Sequence, residues 1–274
     1  MENRALIIGG DKRQDYLKKY LNNNFVEVFH IKYPADVWVL DEVESFSHIV
    51  LPVPISKDKE FIYSDYNLSV RVDEFIKLIK PCHKVFGSGF DSKTLDYFED
   101  NQIEYCDFMK DKTFKRANAL LTAQGTLKLM FDSTEDYIVG KKALIIGFGD
   151  VAETLAEKLR SNGLDVYITA RNKRKLSLAA FYGYKTIVLS AIKSCLYLFD
   201  YVFGTVPANL LDASSVGKLK DDCTYIELAS FPFTTNVDDF KVLNKKHING
   251  SALPGRFLPL ASGKLLADHI LANL

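Results

Sequence analysis

A glycine-rich turn that directly follows an apolar segment is the strongest chemical signal in the sequence. Lys142-Ala-Leu-Ile-Ile146 runs into Gly147-Phe-Gly149-Asp-Val-Ala152. Between a strand and a helix, the first glycine permits a tight turn, the second lets the backbone approach a pyrophosphate, and the alanine lets the helix pack closely. Amides at the helix start hold the phosphates. We therefore predict dinucleotide contacts at Gly147, Phe148, Gly149, Asp150 and Val151, the alternative being an ordinary glycine-rich turn.

The segment after the next predicted strand is basic. It reads Ala170-Arg-Asn-Lys-Arg-Lys175, at the place where NAD-specific proteins carry an acidic residue for the ribose hydroxyls. A guanidinium there can stack on adenine or pair with a 2'-phosphate. We expect NADP(H) to be preferred over NAD(H), with contacts from Arg171, Asn172, Lys173 and Arg174. A solvated basic turn is the alternative.

Two more turns follow predicted strands of the same half, Gly204-Thr-Val-Pro207 and Ala229-Ser-Phe-Pro232. Loops at the carboxyl ends of parallel strands line the nucleotide crevice. We therefore predict further cofactor contacts at Thr205, Val206, Pro207, Ala229 and Ser230. Ordinary turn chemistry is the alternative for each of them.

Candidate substrate-binding groups lie in the first half of the chain. Ile7-Ile-Gly-Gly-Asp-Lys-Arg13 ends the first predicted strand, and a guanidinium is a bidentate partner for a carboxylate. We assign Arg13 and Asp11 to the substrate site. Ser88, in the turn Gly87-Ser-Gly89, is added because successive amides can form an anion-binding concavity. A surface arginine and a plain turn are the respective alternatives.

Asn118 and Thr122 stand one turn apart on a predicted helix, so both face the same side. We assign them to the substrate site as well, although Thr122 could bond its own backbone instead. The five histidines are scattered and predict no catalytic dyad. The four cysteines form no CxxC pair, so neither a disulfide framework nor a metal site is expected.

Composition restricts the partners and the compartment. Among 274 residues, 35 basic side chains balance 35 acidic ones, which leaves no overall field to hold nucleic acid or a charged membrane. Neither a signal peptide nor an apolar run of transmembrane length is apparent, so we expect a cytoplasmic protein without a membrane partner.

Short apolar segments that alternate with helical patterns predict an α/β fold with parallel sheets. The predicted strands are residues 5–8, 26–31, 48–53, 84–87, 143–146, 166–169, 186–189, 201–204, 225–229 and 248–253. We expect two Rossmann-like doubly wound domains with an interdomain cleft. The boundaries are 1–115 for the substrate domain, 116–138 for a connecting helix, 139–256 for the NADP-binding domain, and 257–274 for a C-terminal helix packed back on the first domain.

Several of these motifs together resemble the dipicolinate synthase A family, the A component of dipicolinate synthase. The resemblance rests on Gly9-Gly-Asp-Lys-Arg-Gln14, Leu51-Pro-Val53, Asn118-Ala-Leu-Leu-Thr-Ala-Gln-Gly125, the turn from Gly147 to Ala152, Gly204-Thr-Val-Pro-Ala208, Leu228-Ala-Ser230 and Leu253-Pro-Gly255. That family resembles the D-2-hydroxyacid and alanine dehydrogenases, with a nucleotide in the second of two Rossmann-like domains. It serves dipicolinic acid biosynthesis in sporulation and pairs with a flavoprotein-like B component.

The sequence departs from this family at three places. Gln124 replaces a glutamate, Phe233 and Thr234 replace two glycines, and Leu260 and Ala261 replace a lysine and a threonine. Charge is lost at two of these places, so the substrate could differ from that of the family.

The resemblance implies a cytoplasmic NADP-dependent oxidoreductase acting on a CH–CH or imine-type bond. It would oxidise a dihydrodipicolinate-type cyclic dicarboxylate to dipicolinate, with the flavoprotein-like B component as partner and a homo-oligomeric state. One alternative is a protein that binds NADPH without catalysing and serves a regulatory or scaffold role. Another is an NADPH-dependent oxidoreductase of a different imino or keto acid.

Overall fold

The computed structural model describes residues 2–274 and contains two parallel β-sheets flanked by helices. The predicted α/β class with two Rossmann-like domains is confirmed. The residues divide into two units. The first comprises the chain up to Asn118 together with Pro254–Leu274, and the second is Ala119–Leu253. Within residues 2–274, no helix combines the length and apolar character that crossing a membrane requires.

The sheet of the first unit has five strands in the order β2-β1-β3-β4-β5. They are β1 (Arg4–Ile8), β2 (Glu27–Ile31), β3 (His48–Val50), β4 (Lys84–Gly87) and β5 (Glu104–Asp107), with helices α1 (Lys12–Leu21), α2 (Val72–Leu78) and α3 (Ser92–Asp100). A 3-10 segment, Pro34–Ser45, precedes β3. Alternate β1 residues enter opposite faces of the core: Leu6 packs in one apolar cluster and Ile7 in the other.

Strand β5 was not predicted from the sequence. Its four residues are exposed or half-buried and include Glu104 and Asp107, so they lack the apolar run that marks the other strands. The strand pairs only with β4, as a sheet edge. Polar side chains are common at edges, where they oppose unwanted pairing with other chains.

Helix α4 (Lys112–Asp132) leads into the second unit, whose six strands run in the order β11-β10-β9-β6-β7-β8. These strands are β6 (Lys142–Ile146), β7 (Asp165–Ala170), β8 (Lys185–Val188), β9 (Tyr201–Gly204), β10 (Thr224–Glu227) and β11 (Lys246–Asn249). The helices are α5 (Asp150–Ser161), α6 (Lys173–Phe181), α7 (Ala213–Val216) and α8 (Val237–Val242). Because β7 and β9 flank β6 on opposite sides, the crossovers reverse direction there and leave a crevice at the carboxyl ends.

Strand β11 is shorter than the predicted strand over 248–253. It ends at Asn249, and Ala252 adopts the left-handed backbone conformation (φ 54°) before the next helix begins at Leu253. A turn at residues 251–252 therefore takes the place of the second half of the predicted strand, and helix α9 (Leu253–Phe257) begins at its last residue.

Helix α10 (Pro259–Leu271) belongs to the first unit and packs against α1. Leu266 and Ile270 join Leu17 and Leu21 in one buried cluster. Gly263 permits the close approach, since a β-carbon there would lie 2.7 Å from the carbonyl oxygen of Arg13. The predicted packing of the C-terminal helix on the first domain is therefore confirmed.

Candidate functional site

A pocket of about 300 Å³ opens at the carboxyl ends of β6 and β7. Its walls come from the ends of these two strands, the first turn of α6, Leu189, and the segment 206–210. The lining residues are Ile146, Gly147, Phe148, Thr169, Ala170, Arg171, Asn172, Lys175, Leu189, Val206, Ala208 and Leu210. This is the switch point of the sheet, where doubly wound folds bind their ligands.

Glycine stands at positions 147 and 149 of the turn for different structural reasons. Gly147 has a φ of 113°, and a β-carbon there would lie 2.4 Å from Thr205 Oγ1, so only glycine fits. At Gly149 a β-carbon would meet only Lys175 Nζ, at 3.8 Å. The space above Gly149 is therefore available to a ligand that approaches the backbone.

Helix α5 begins at this turn. Its N-cap, Gly149, provides no side-chain acceptor for the first amides. Those N–H groups, with the positive end of the helix dipole, favour an anion. Asp150 and Glu153 bring negative charge to the same turn. A cation from a neighbouring element would have to offset that charge if a pyrophosphate is to bind.

Thr169 at the end of β7 fits the same interpretation. The residue is fully buried and lines the pocket, yet its hydroxyl has no hydrogen-bond partner within residues 2–274. A buried polar atom without a partner costs about 1–3 kcal/mol, so such atoms are rare unless a ligand or water satisfies them. The free hydroxyl and the space above Gly149 fit a bound dinucleotide.

The structure brings only part of the predicted basic turn to the pocket. Arg171 and Asn172 line it, whereas Lys173 and Arg174 do not. Asn172 also caps α6, because its Oδ1 accepts hydrogen bonds from the Arg174 and Lys175 amides at 2.9 and 3.4 Å. Lys175, which sequence reasoning left out, lines the pocket from the first turn of α6. Lys175 follows the helix cap Asn172 by three residues, and this helical spacing is the signal that could have pointed to it in the sequence.

The remaining predicted cofactor residues lie on the β9 and β10 side. Val206 lines the pocket, while Thr205 uses its hydroxyl to donate to the Ile146 carbonyl at 2.8 Å. Pro207 and Ser230 are exposed, and Ala229 is buried. Their contacts with a cofactor stay predictions.

A buried carboxyl group beside these loops was missed from the sequence. Glu227 ends β10 and is 1% exposed. Burial raises the pKa of Glu227, although hydrogen bonds from the Ala229 amide, Tyr225 and Thr234 act in the opposite direction. One acidic residue within an apolar strand, Tyr225-Ile-Glu227, is a weak signal of such a group.

In the first unit, Arg13 and Asp11 form a buried ion pair. Arg13 Nε and Nη2 donate to the two Asp11 carboxylate oxygens at 2.9 Å each, and Nη2 also donates to the Val53 carbonyl at 2.9 Å. Burial raises the pKa of Asp11, but the bonds and charge of Arg13 outweigh it, so the net shift is downward. The roles of Arg13 and Asp11 toward a substrate stay predictions.

Two further side chains complete this cluster. The Tyr63 hydroxyl donates to Asp11 Oδ2 at 3.2 Å, and Lys57 Nζ lies 3.4 Å from the centre of the Tyr63 ring. Desolvation lowers the pKa of Lys57 despite the nearby Asp65 and Asp11. Lys57, also missed from the sequence, therefore places a second cation on the ring of Tyr63, whose hydroxyl bonds to Asp11.

The other predicted substrate residues are partly or fully buried. Ser88 is 2% exposed, and its carbonyl accepts a hydrogen bond from Ile55 N at 2.8 Å. Asn118 and Thr122 are half-buried on α4, and the Thr122 carbonyl accepts a hydrogen bond from Thr126 Oγ1 at 2.8 Å. Their roles toward a substrate stay predictions.

One histidine contacts a thiol, and nothing in the sequence indicated this contact. His269 Nε2 lies 3.4 Å from Cys106 Sγ, and its ring packs edge to face against both Phe108 and Phe114. The two partners are far apart in sequence, on β5 and α10, which hides the pair from a search for local motifs. Burial raises the pKa of Cys106, which favours the unreactive thiol over the thiolate.

Comparison with known proteins finds a matching family for each half of the chain. Residues 4–109 match the N-terminal domain of dipicolinate synthase A, and residues 122–254 match the NAD binding domain of S-adenosyl-L-homocysteine hydrolase. Dipicolinate synthase A of Bacillus subtilis (strain 168) is 23% identical, covering 97% of this chain and 93% of that protein. The chain is similar to dipicolinate synthase A over nearly its whole length. The resemblance recognised in the sequence is thereby confirmed.

Solved structures share the fold. The crystal structure of dipicolinate synthase A from Bacillus halodurans superposes with a TM-score of 0.83 at 22% identity, covering 99% of this chain and 97% of that one. D-lactate dehydrogenase from Escherichia coli gives a TM-score of 0.62 at 10% identity, with coverage of 98% and 96%. Together with the family match of residues 122–254, this indicates that the second unit contains a nicotinamide dinucleotide-binding domain within a dehydrogenase-like fold.

The departures from the dipicolinate synthase A pattern fall in different surroundings. Gln124 is exposed on α4, and Leu260 and Ala261 are exposed in the first turn of α10. Thr234, in contrast, is fully buried and bonds to Glu227, while Phe233 is half-buried beside it. Thr234 thus adds a hydroxyl to the buried network, at a position where the resemblance implies a glycine.

Proposed function

We propose that this chain is an NADP-dependent dehydrogenase that oxidises a dihydrodipicolinate-type cyclic dicarboxylate to dipicolinate. The relationship to dipicolinate synthase A supports the reaction, and the dehydrogenase-like fold supports hydride transfer. The observation that carries the cofactor choice is the cationic first turn of α6 at the pocket wall.

The charge arrangement at α6 supports a bound phosphate. Lys173, Arg174 and Lys175 are its first three residues, and no acidic side chain lies in that turn. Cations at the positive end of a helix dipole are unfavourable by about 0.3–1 kcal/mol each, so this turn opposes its own stability. A 2'-phosphate bound by Arg171 would remove that repulsion. Lys175, close to Gly149, would offset the acidic start of α5 at the pyrophosphate.

The residues of the chain would bind and orient, while the nicotinamide, when bound, accepts a hydride. Amides of 147–151 would hold the pyrophosphate, and Arg13 Nη1 would bind one substrate carboxylate. Asn118 and Thr122 would bind the other carboxylate. Oxidation to the pyridine releases one hydride and one proton, and the proton can pass to water. Because aromatisation drives the reaction, no strong general base is required, and no histidine lines the pocket of the described second unit.

The relatives are named as one component of a synthase, which supports a second component as partner. We propose the flavoprotein-like B component, a homo-oligomeric state for this chain and a cytoplasmic location. Co-purification of the tagged chain with its candidate partner, followed by light scattering, tests the first two proposals.

The experiment that tests the reaction follows NADPH formation with enzymatically generated 4-hydroxytetrahydrodipicolinate, which gives the dihydrodipicolinate by loss of water, with and without the flavoprotein-like B component. Turnover with NADP⁺, detected together with dipicolinate by chromatography, is the expected result. Gly149→Val provides a matched inactive control, since its side chain enters the ligand space and meets no packed atom. Absence of dipicolinate from all reactions, with active partner enzymes, would reject the proposed substrate.

A second candidate function is favoured by Gln124, which stands where the family pattern has a glutamate. In that case the chain binds NADPH and serves a regulatory or scaffold role without catalysing. Tight NADPH binding without turnover in the same assay, and restored turnover in Gln124→Glu, would support this candidate over the first. The Gln124→Glu comparison is clean because the side chain is exposed and the substitution keeps its size.

A further inference from the structure

Glu227 joins both ends of a turn beside the candidate pocket. Its Oε2 accepts hydrogen bonds from the Tyr225 hydroxyl and the Thr234 amide, both at 3.0 Å. Its Oε1 accepts one from the Ala229 amide at 3.1 Å. One buried carboxyl group therefore fixes the turn from residue 229 to residue 234.

The hydroxyl of Thr234 has one proton but two nearby acceptors. Thr234 Oγ1 lies 2.8 Å from the Val206 carbonyl and 3.1 Å from Glu227 Oε1. If Glu227 were ionised, the single hydroxyl proton of Thr234 could serve only one of these two contacts. The two oxygen atoms of the other contact would then have no proton between them. If Glu227 carries a proton on Oε1, it donates to Thr234, which then donates to Val206, and every group is satisfied.

The surroundings of the carboxyl group favour the neutral form. Tyr225 is on the same strand, and His247 on β11 stacks on the Tyr225 ring with centroids 5.5 Å apart. On the other side β9 presents Gly204, which carries no charge. None of the hydrogen-bond partners of Glu227 among residues 2–274 is a cation, and burying an unpaired carboxylate is costly.

The same network reaches the pocket. Val206 and Leu210 line it, and the Leu210 amide donates to the Thr234 carbonyl at 2.8 Å. We propose that Glu227 is a positioning residue that keeps its proton in the folded chain and, through Thr234, holds the 206–210 wall of the cofactor pocket. Its effect on a cofactor rests on the proposed function.

The test measures the dissociation constant of NADPH against pH in the wild type and in Glu227→Gln, whose amide can also donate to Thr234. Wild-type binding should be stable at low pH and weaken at high pH, by up to about tenfold per pH unit, as the proton is lost. Glu227→Gln should bind within a fewfold of the low-pH wild type and lack that weakening. Thr234→Ser should resemble the wild type, whereas Thr234→Val should bind more weakly.

Identical pH profiles for the wild type and Glu227→Gln would overturn the proposal, as would equal binding by the two Thr234 variants. A second measurement needs no cofactor. Because the pKa of Glu227 is raised on folding, its contribution to stability is complete below the ordinary pKa and is lost as pH rises through the raised value. The free energy of unfolding of the wild type should therefore fall with rising pH relative to Glu227→Gln.

The two measurements separate the hypotheses. If the wild type does not bind NADPH at any pH, the proposed function fails, and the unfolding experiment alone decides the role of Glu227. If Glu227→Gln does not fold, hydrogen exchange of the Ala229 and Thr234 amides in the wild type replaces it. If these two amides exchange faster at high pH than ordinary base catalysis explains, the proposal is supported. If their exchange rises only as base catalysis predicts, the proposal is rejected.

Discussion

Replacing Arg171 by alanine tests the proposed preference for NADP(H) most directly. Arg171 lines the pocket directly after β7, where a 2'-phosphate would lie. A charge-assisted hydrogen bond contributes about 1.5–3 kcal/mol, whereas an exposed ion pair contributes about 0.2–1 kcal/mol. Because Arg171 is exposed yet would meet a doubly charged phosphate, we take about 1.5 kcal/mol. This corresponds to about a tenfold increase in the NADPH dissociation constant.

Isothermal titration calorimetry with NADPH and NADH measures this effect. We expect Arg171→Ala to weaken NADPH about tenfold and to change NADH by less than about twofold. Arg174→Ala is the matched control, since that arginine is also exposed and basic but does not line the pocket. Equal weakening of both cofactors by Arg171→Ala would show that the guanidinium does not read the 2'-phosphate. An equal effect of Arg174→Ala would show that only overall charge matters.

Two further predictions concern the glycine turn and the buried ion pair. Gly149→Val should keep the fold, measured by thermal unfolding, and abolish cofactor binding, whereas Gly147→Val should destabilise the second unit because its β-carbon would overlap Thr205; normal NADPH binding by Gly149→Val would place the nucleotide elsewhere. Arg13→Lys should weaken substrate by about tenfold or more and leave NADPH affinity unchanged, since lysine cannot keep the Asp11 fork and offer a further donor. Steady-state kinetics that match the wild type would exclude Arg13 from the substrate site.

Local sequence patterns predicted the parts of the fold that depend on local rules. The buried strand before Gly147 and the glycine turn after it are set by neighbouring residues, so they could be predicted. Strand β5 could not, because its existence depends on pairing with β4 rather than on its own polar residues.

The candidate site shows the same division. Arg171 and Asn172 follow the strand directly and were predicted, whereas Thr169 and Lys175 line the pocket only because strand β7 and helix α6 present those faces. Glu227 depends on contacts seven residues away, with Thr234, and further with Val206 on another strand end. Such a network depends on tertiary packing, so a short sequence motif cannot predict it.

The first unit is assembled from two separate stretches of chain, with the whole second unit between them. During synthesis, the ribosome therefore releases every residue of the second unit before α10 emerges. Until then, Leu17 and Leu21 of α1 lack their covering partners Leu266 and Ile270. Domains usually complete folding in the order of their synthesis. Here the first unit begins the chain, yet its core can be completed only after every residue of the second unit has been made.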